Sequence, residues 1–161
     1  MVNKMTLESL GRPIELLLIE DNYGDVLLMR EACAHSTTPI RIAVAGDGEE
    51  ALSVLRREGG HADRPRPDLI LLDLNLPGMD GREVLKTIKC DPALQRIPVI
   101  VMTSSDAEID VLKSYDLQAN SYIVKPSNFD HLRDIVASIE AFWLSVVAHP
   151  NAAHRGSSRG F

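Results

Sequence analysis

Residues 68–81 read D-L-I-L-L-D-L-N-L-P-G-M-D-G. The run Asp68–Leu72 is short and apolar, a carboxylate follows at Asp73, and a Pro/Gly/Asp-rich turn closes the segment. Apolar runs of this length, bounded by turn signals, read as strands buried on both faces of a parallel sheet. The pattern recurs three times: Ile14–Ile19 ends on Glu20-Asp21, Ile97–Met102 on Thr103, and Asn120–Val124 on Lys125. In parallel sheets the carboxyl ends of the strands share one rim, and ligands bind there. Three carboxylates, a hydroxyl and an ammonium are therefore predicted to converge on one site. Carboxylates crowded within a few ångströms repel and call for a cation. An oxygen-rich site of this kind suits Mg2+, which often shares its shell with phosphate. The pattern implies phosphoryl-transfer chemistry.

Outward from these runs, strands alternate with helices and no internal repeat is present. Tyr23–His35 places Val26, Met29, Ala32 and Cys33 at helical spacing. Ile40–Ala45 reads as a second strand, and Asp47 as the N-cap of a helix whose apolar face holds Ala51, Leu52 and Leu55. Gly59–Pro67 is a polar, proline-punctuated connection. Gly81–Cys90 is predicted helical with Val84, Leu85 and Ile88 on one face, and Ser105–Leu117 and Phe129–Ala148 are the last two helices. The count is (βα)5, an α/β chain with right-handed crossovers and helices on both faces. A flavodoxin-like doubly wound parallel sheet of order 2-1-3-4-5 puts strands 1 and 3 together at the switch point, where Asp21 and Asp73 face each other. The expected organisation is an N-terminal arm 1–13, one domain 14–148 with a long C-terminal helix, and a flexible tail 149–161.

Bulk properties agree with one small domain. The chain has 161 residues, 45% hydrophobic and 25% charged, with a net charge of −6. That acidity argues against nucleic acid or an anionic membrane as a direct partner. No apolar stretch approaches the roughly 18 residues a spanning helix needs. Residues Met1–Pro13 carry Lys4, Glu8 and Arg12 and no signal-peptide core. Cys33 and Cys90, widely spaced and outside any metal motif, read as reduced core thiols of a cytoplasmic protein.

Each site residue has a plainer reading. A strand-end Asp is usually a turn or cap residue. Asp21-Asn22 could cap the first helix, Asp80-Gly81 could be a turn, Thr103 a strand residue with a satisfied hydroxyl, and Lys125 a solvated lysine. Singly those readings win. Jointly they fail, because every strand but the second ends in a residue useful for phosphate or metal.

The chain resembles a response-regulator receiver domain of bacterial two-component signalling. The matching stretches are L-L-L-I-E-D-N, L-I-L-L-D-L-N-L-P-G-M-D-G, I-P-V-I-V-M-T-S-S and S-Y-I-V-K-P, with 30 positions from Asp73 to Thr103 and 22 from Thr103 to Lys125. The resemblance covers residues 14–140. It implies that Asp73 accepts a phosphoryl group from the phosphohistidine of a sensor histidine kinase. Glu20, Asp21, Asp73 and the backbone carbonyl of Asn75 would hold Mg2+, and Thr103 and Lys125 would contact the phosphoryl oxygens. Tyr122 would be the aromatic whose rotamer follows the state. The family also implies a cis bond before Pro126, aiming Lys125 into the site. Such a chain is no stand-alone enzyme, although it catalyses its own aspartyl phosphorylation and dephosphorylation. The Gly59–Pro67 loop, the segment G-R-E-V-L-K-T-I-K and the ending I-E-A-F-W-L are similar to stand-alone receivers serving bacterial phytochrome kinases. No effector domain follows in this reading, so the output is contact with a downstream protein or relay of phosphate.

Two rival classes are disfavoured. A haloacid-dehalogenase-type phosphatase needs a second Asp two positions after the nucleophile, where this chain has Asn75. A non-phosphorylated pseudo-receiver typically loses an acidic or lysine position, and all are present here. The last helix supplies a further expectation. Phe129–Ala148 spans about 30 Å as helix, while Asn120–Val124 spans about 17 Å as strand. Leu132, Ile135, Val136 and Ile139 can cover the sheet, leaving Phe142, Trp143, Val146 and Val147 as an apolar overhang, which predicts a homodimer; the plainer alternative is a monomer in which the N-terminal arm, with Met5, Leu7 and Leu10, folds back over the patch.

Overall fold

The computed structural model describes residues 12–114 and 117–148, with the side chains of 114 and 144–148 set aside. Five strands, β1 (Ile14–Ile19), β2 (Ile40–Ala45), β3 (Leu69–Asp73), β4 (Val99–Thr103) and β5 (Ser121–Val124), form one parallel sheet in the order β2-β1-β3-β4-β5. Five helices connect and follow them: α1 (Tyr23–Ala34), α2 (Gly48–Leu55), α3 (Gly81–Cys90), α4 (Asp106–Ser114) and α5 (Phe129–Ala148). This is the flavodoxin-like arrangement predicted from the alternation of runs.

The twofold period of the strands splits the core into two halves. Leu17, Ile19, Ile70, Leu72, Val99 and Val101 face α2, α3 and α4, meeting Ala51, Leu52, Val84, Leu85, Ile88 and Leu112. Leu16, Leu18, Leu69, Leu71 and Met102 face α1 and α5, meeting Val26, Met29, Leu132, Val136 and Ile139. Because β1 and β3 are covered on both sides, their sequences show runs rather than alternation, as buried parallel strands do.

Local chemistry sets the helix starts. Asn22, Asp47 and Asp80 cap α1, α2 and α3, their side chains accepting from the N–H groups of Asp25, Glu50 and Arg82. So Asn22 and Asp80 do serve as cap residues, while Asp21 is left over for the rim. Gly81 opens α3 so close to the sheet that a Cβ would lie 2.7 Å from the Leu74 oxygen and 2.8 Å from its Cα. Gly78 takes φ +71 in the preceding turn, a conformation open to glycine.

The N-terminal ends of the strands carry their own polar network. Arg12 donates to both oxygens of Asp68 at 2.9 and 3.1 Å, Asp68 also accepts from the Glu15 N–H at 2.8 Å, and Arg41 pairs with Glu15 at 3.0 Å.

Several sequence expectations are corrected. Helix α1 ends at Ala34, with His35 as its C-cap, and Asp73 and Thr103 are the last residues of their strands rather than the first beyond them. Cys33 is buried, but Cys90 is exposed, because the end of α3 turns it outward. The overhang of α5 is only partly bare. Phe142 is half-buried against the α1/α5 half of the core, and Trp143 is 9% exposed within the single chain, with the Arg12 guanidinium 5.2 Å from its ring centroid. The side chains of Val146 and Val147, and residues 1–11 and 149–161 of the arm and tail, lie outside the described residues.

Candidate functional site

Strand register builds the site. Ile19 pairs with Leu72 and Asp73 with Met102, so β1 delivers Glu20 beside Asp73. The Lys125 N–H donates to the Thr103 carbonyl at 2.7 Å, carrying the β4–β5 ladder one residue further and fixing Lys125 at the same rim. The Lys125–Pro126 bond is trans, contrary to the family expectation. The ladder aims Lys125 without it.

Four carboxylates crowd this rim. Oxygens of Glu20, Asp21 and Asp73 all lie within 4.8 Å of one another. Glu20 and Asp73 are buried, at 2% and 3% exposure, whereas Asp21 is open to solvent. Asp73 Oδ1 accepts from the Asn75 N–H at 3.0 Å, and Glu20 Oε1 from the Asn22 N–H at 3.1 Å. Lys125 Nζ is the shared counter-charge, 2.9 Å from Glu20, 3.1 Å from Asp73 and 2.8 Å from Asp25.

The electrostatics follow from that crowding. Burial pushes the Glu20 carboxyl up to about 7, with bonds from Lys125 and Asn22 pulling it down and Asp73 pushing it further up. Burial alone lowers the Lys125 ammonium, but hydrogen bonds to Asp25, Glu20 and Asp73 outweigh it and raise it above its ordinary value. Lys125 therefore stays charged at neutral pH.

Thr103 is fully buried, its hydroxyl donating to Glu108, which also accepts from Ser104 Oγ at 3.0 Å. The Thr103 bond, ahead of the opposing burial, holds the Glu108 carboxyl below its usual range. Tyr122 lies on β5, partly buried against the core half that faces α2, α3 and α4. Asn75 sits two residues beyond Asp73 on the exposed rim.

Glu20, Asp21, Asp73 and Lys125 thus come together as the sequence predicted. Asp25 and Glu108 were missed. Each lies in the first turn of a helix that follows a site strand, α1 after β1 and α4 after β4. Carboxylates there usually serve the helix dipole, so only their placement one turn beyond Asp21 and Thr103 could have flagged them.

The donor set is all oxygen, drawn from three carboxylates, which fits a hard divalent cation such as Mg2+ or Mn2+. An acidic nucleophile beside fixed positive charge is suited to forming an acyl phosphate.

The comparisons with known proteins agree. Residues 16–137 match the response regulator receiver domain. Response regulator Rcp1 of Synechocystis sp. (strain ATCC 27184 / PCC 6803 / Kazusa) is 46% identical over 140 residues, covering 87% of this chain and 95% of that protein. The solved structure of its Mn2+-bound form superposes with a TM-score of 0.72 at 46% identity, covering 82% of this chain and 95% of that one. The phosphorylated cyanobacterial phytochrome response regulator RcpA gives a TM-score of 0.75 at 52% identity, covering 84% and 96%. The bacteriophytochrome response regulator RtBRR gives 0.69 at 40%, covering 78% and 77%. The chain belongs to the response-regulator receiver family.

Proposed function

We propose that this receiver takes a phosphoryl group on Asp73 from a sensor histidine kinase of the bacterial phytochrome class, with Mg2+, and signals through phosphorylation-dependent contacts with a downstream protein. The observation that carries the reading is the meeting of Glu20, Asp21 and Asp73 within 4.8 Å, with Lys125 Nζ 3.1 Å from Asp73. An Asp73 oxygen attacks phosphorus, the bond from phosphorus to the donor imidazole breaks, and the imidazole nitrogen keeps the electron pair. Lys125 and Thr103 then offer donors to the phosphoryl oxygens, which is the positioning and charge stabilisation that phosphoryl transfer needs. Glu20, Asp21, Asp73 and the Asn75 carbonyl would hold Mg2+, which when bound supplies positive charge against the carboxylates and the incoming phosphoryl group. Hydrolysis at the same site returns the receiver to its resting form. The phytochrome class of kinase rests on the relatives, RcpA and RtBRR, being phytochrome response regulators by name. Among the described residues no helix is long and apolar enough to cross a membrane, and we place the protein in the cytoplasm with its kinase domain.

Incubation with acetyl phosphate and Mg2+, followed by peptide mapping, should add one phosphoryl group on Asp73 and none in excess EDTA. Labelling of Asp73→Asn elsewhere in the chain would refute the reading. Lys125→Ala should bind metal at least as tightly as wild type and lose signalling, because an ammonium cannot ligate a cation, while Asp21→Asn should lose metal affinity. Phosphotransfer profiling against phytochrome-linked kinases tests the partner.

A homodimer through the end of α5 belongs to the same proposal, with Phe142, Trp143, Val146 and Val147 at its interface. It rests on the helix continuing to Ala148, well past the strands. Trp143 is covered within one chain, so Phe142→Glu is the informative variant. Light scattering should show a dimer for wild type and a monomer for that variant, and a monomeric wild type at tens of micromolar would end the idea.

A further inference from the structure

Thr103 has one proton to donate, and it goes to a carboxylate outside the family's motif residues. Its hydroxyl donates to Glu108 Oε2, the oxygen that also accepts from Ser104. A hydroxyl carries a single O–H, so a bond to Glu108 and a bond to a phosphoryl oxygen on Asp73 exclude each other. Thr103 is 0% exposed, so water does not ease the exchange. Glu108 stays anionic at neutral pH, held low first by the Thr103 bond, then by Ser104 and by the charge of Arg82. Arg82, in the first turn of α3, has a buried Nε with no hydrogen-bond partner among the described residues. A carboxylate that gives up Thr103 thus finds a guanidinium with an unused donor in electrostatic reach.

We infer that Glu108 is an internal competitor for the Thr103 hydroxyl, setting how readily the Asp73 site takes and keeps a phosphoryl group, and that Arg82 receives the displaced carboxylate. The inference rests on the reading of Asp73 as phosphoacceptor. A phosphoryl group adds about −1.5 to −2 of charge and three acceptor oxygens. It draws Thr103 toward Asp73 and repels Glu108, and the first turn of α4 carries the movement outward. Glu108 touches no reacting atom; it is a positioning residue.

The test uses acetyl phosphate with Mg2+. The Asp73 oxygen bonds to phosphorus, the phosphorus–oxygen bond to acetate breaks, and acetate leaves with the electron pair. Intact-mass spectrometry follows the initial rate and, after donor removal, the loss of the group. Glu108→Ala should raise the initial rate about tenfold, the scale of a hydrogen bond to a charged group, and slow the loss. Glu108→Gln should fall between, because its amide oxygen still accepts. Arg82→Ala should lower the rate. In a Thr103→Ala background, Glu108→Ala should change nothing, a null effect that a merely structural role would not produce. A wild-type rate for Glu108→Ala, or an equal gain in the Thr103→Ala background, overturns the inference while leaving Asp73 as acceptor. A wild type that takes no phosphoryl group overturns both.

Discussion

The two ends of the sheet each carry a cluster of charged groups and use them in opposite ways. At the N-terminal ends Arg12, Asp68, Glu15 and Arg41 close into two ion pairs, so each of these four charges has an opposite of its own. At the C-terminal ends Glu20, Asp25 and Asp73 share one ammonium, and the Asp21 carboxylate lies beside Glu20 and Asp73. The first arrangement is complete and gains nothing from a ligand. The second is electrostatically short of positive charge, and that shortage is what makes it a site. Proteins commonly carry such local conflict where they function. Removing a charge should therefore cost stability alone at the first end, while at the second end the effect on stability should depend on the sign of the charge removed.

The largest effect is expected from Lys125→Ala without divalent ions. Removing the shared ammonium leaves Glu20 and Asp73 buried and unopposed, and breaking a buried pair costs about 3–5 kcal/mol. Lys125 keeps 29% of its side chain exposed, so about 2–3 kcal/mol is expected after solvent screening. Urea unfolding with and without Mg2+ checks this, and the ion should stabilise the variant more than wild type. An unchanged midpoint without Mg2+ would break the comparison.

Asp73→Asn should do the reverse, abolishing phosphorylation while stabilising the metal-free fold by about 1 kcal/mol through relief of like-charge repulsion. At the other end, Arg12→Ala should cost about 1 kcal/mol, through the Asp68 pair and the contact with Trp143. Its acetyl phosphate labelling should match wild type, and a loss of labelling would mean that the ends are not independent.

A last test sharpens the comparison through pH. Glu20's folded value of about 7 lies above its unfolded value of 4.5. The folded state therefore binds more protons between those values, and Glu20's contribution is full below pH 4.5 and lost as pH rises through about 7. Metal-free stability measured across that window should decline more steeply in wild type than in Glu20→Gln. Equal slopes would show that Lys125 already neutralises Glu20 completely.

The sequence made the acceptor end legible and the rest only partly so. Run length and terminal residue sufficed for Asp73, because a strand buried on both faces must be apolar until it reaches the rim. Val26, Met29, Ala32 and Cys33 were readable from helical period alone, and all are buried. Asp25 and Glu108 were not, since a first-turn carboxylate looks like an ordinary dipole partner until the sheet shows what it reaches. Trp143 was misjudged for a related reason. One of its neighbours, Arg12, lies at the opposite end of the chain, and hydrophobic pattern carries no record of a cation resting on an aromatic face.

Gly81 gives the rim a mechanical character. A side chain at position 81 would meet the backbone of Leu74 and Asp73, so only glycine lets the start of α3 sit this close to the end of β3.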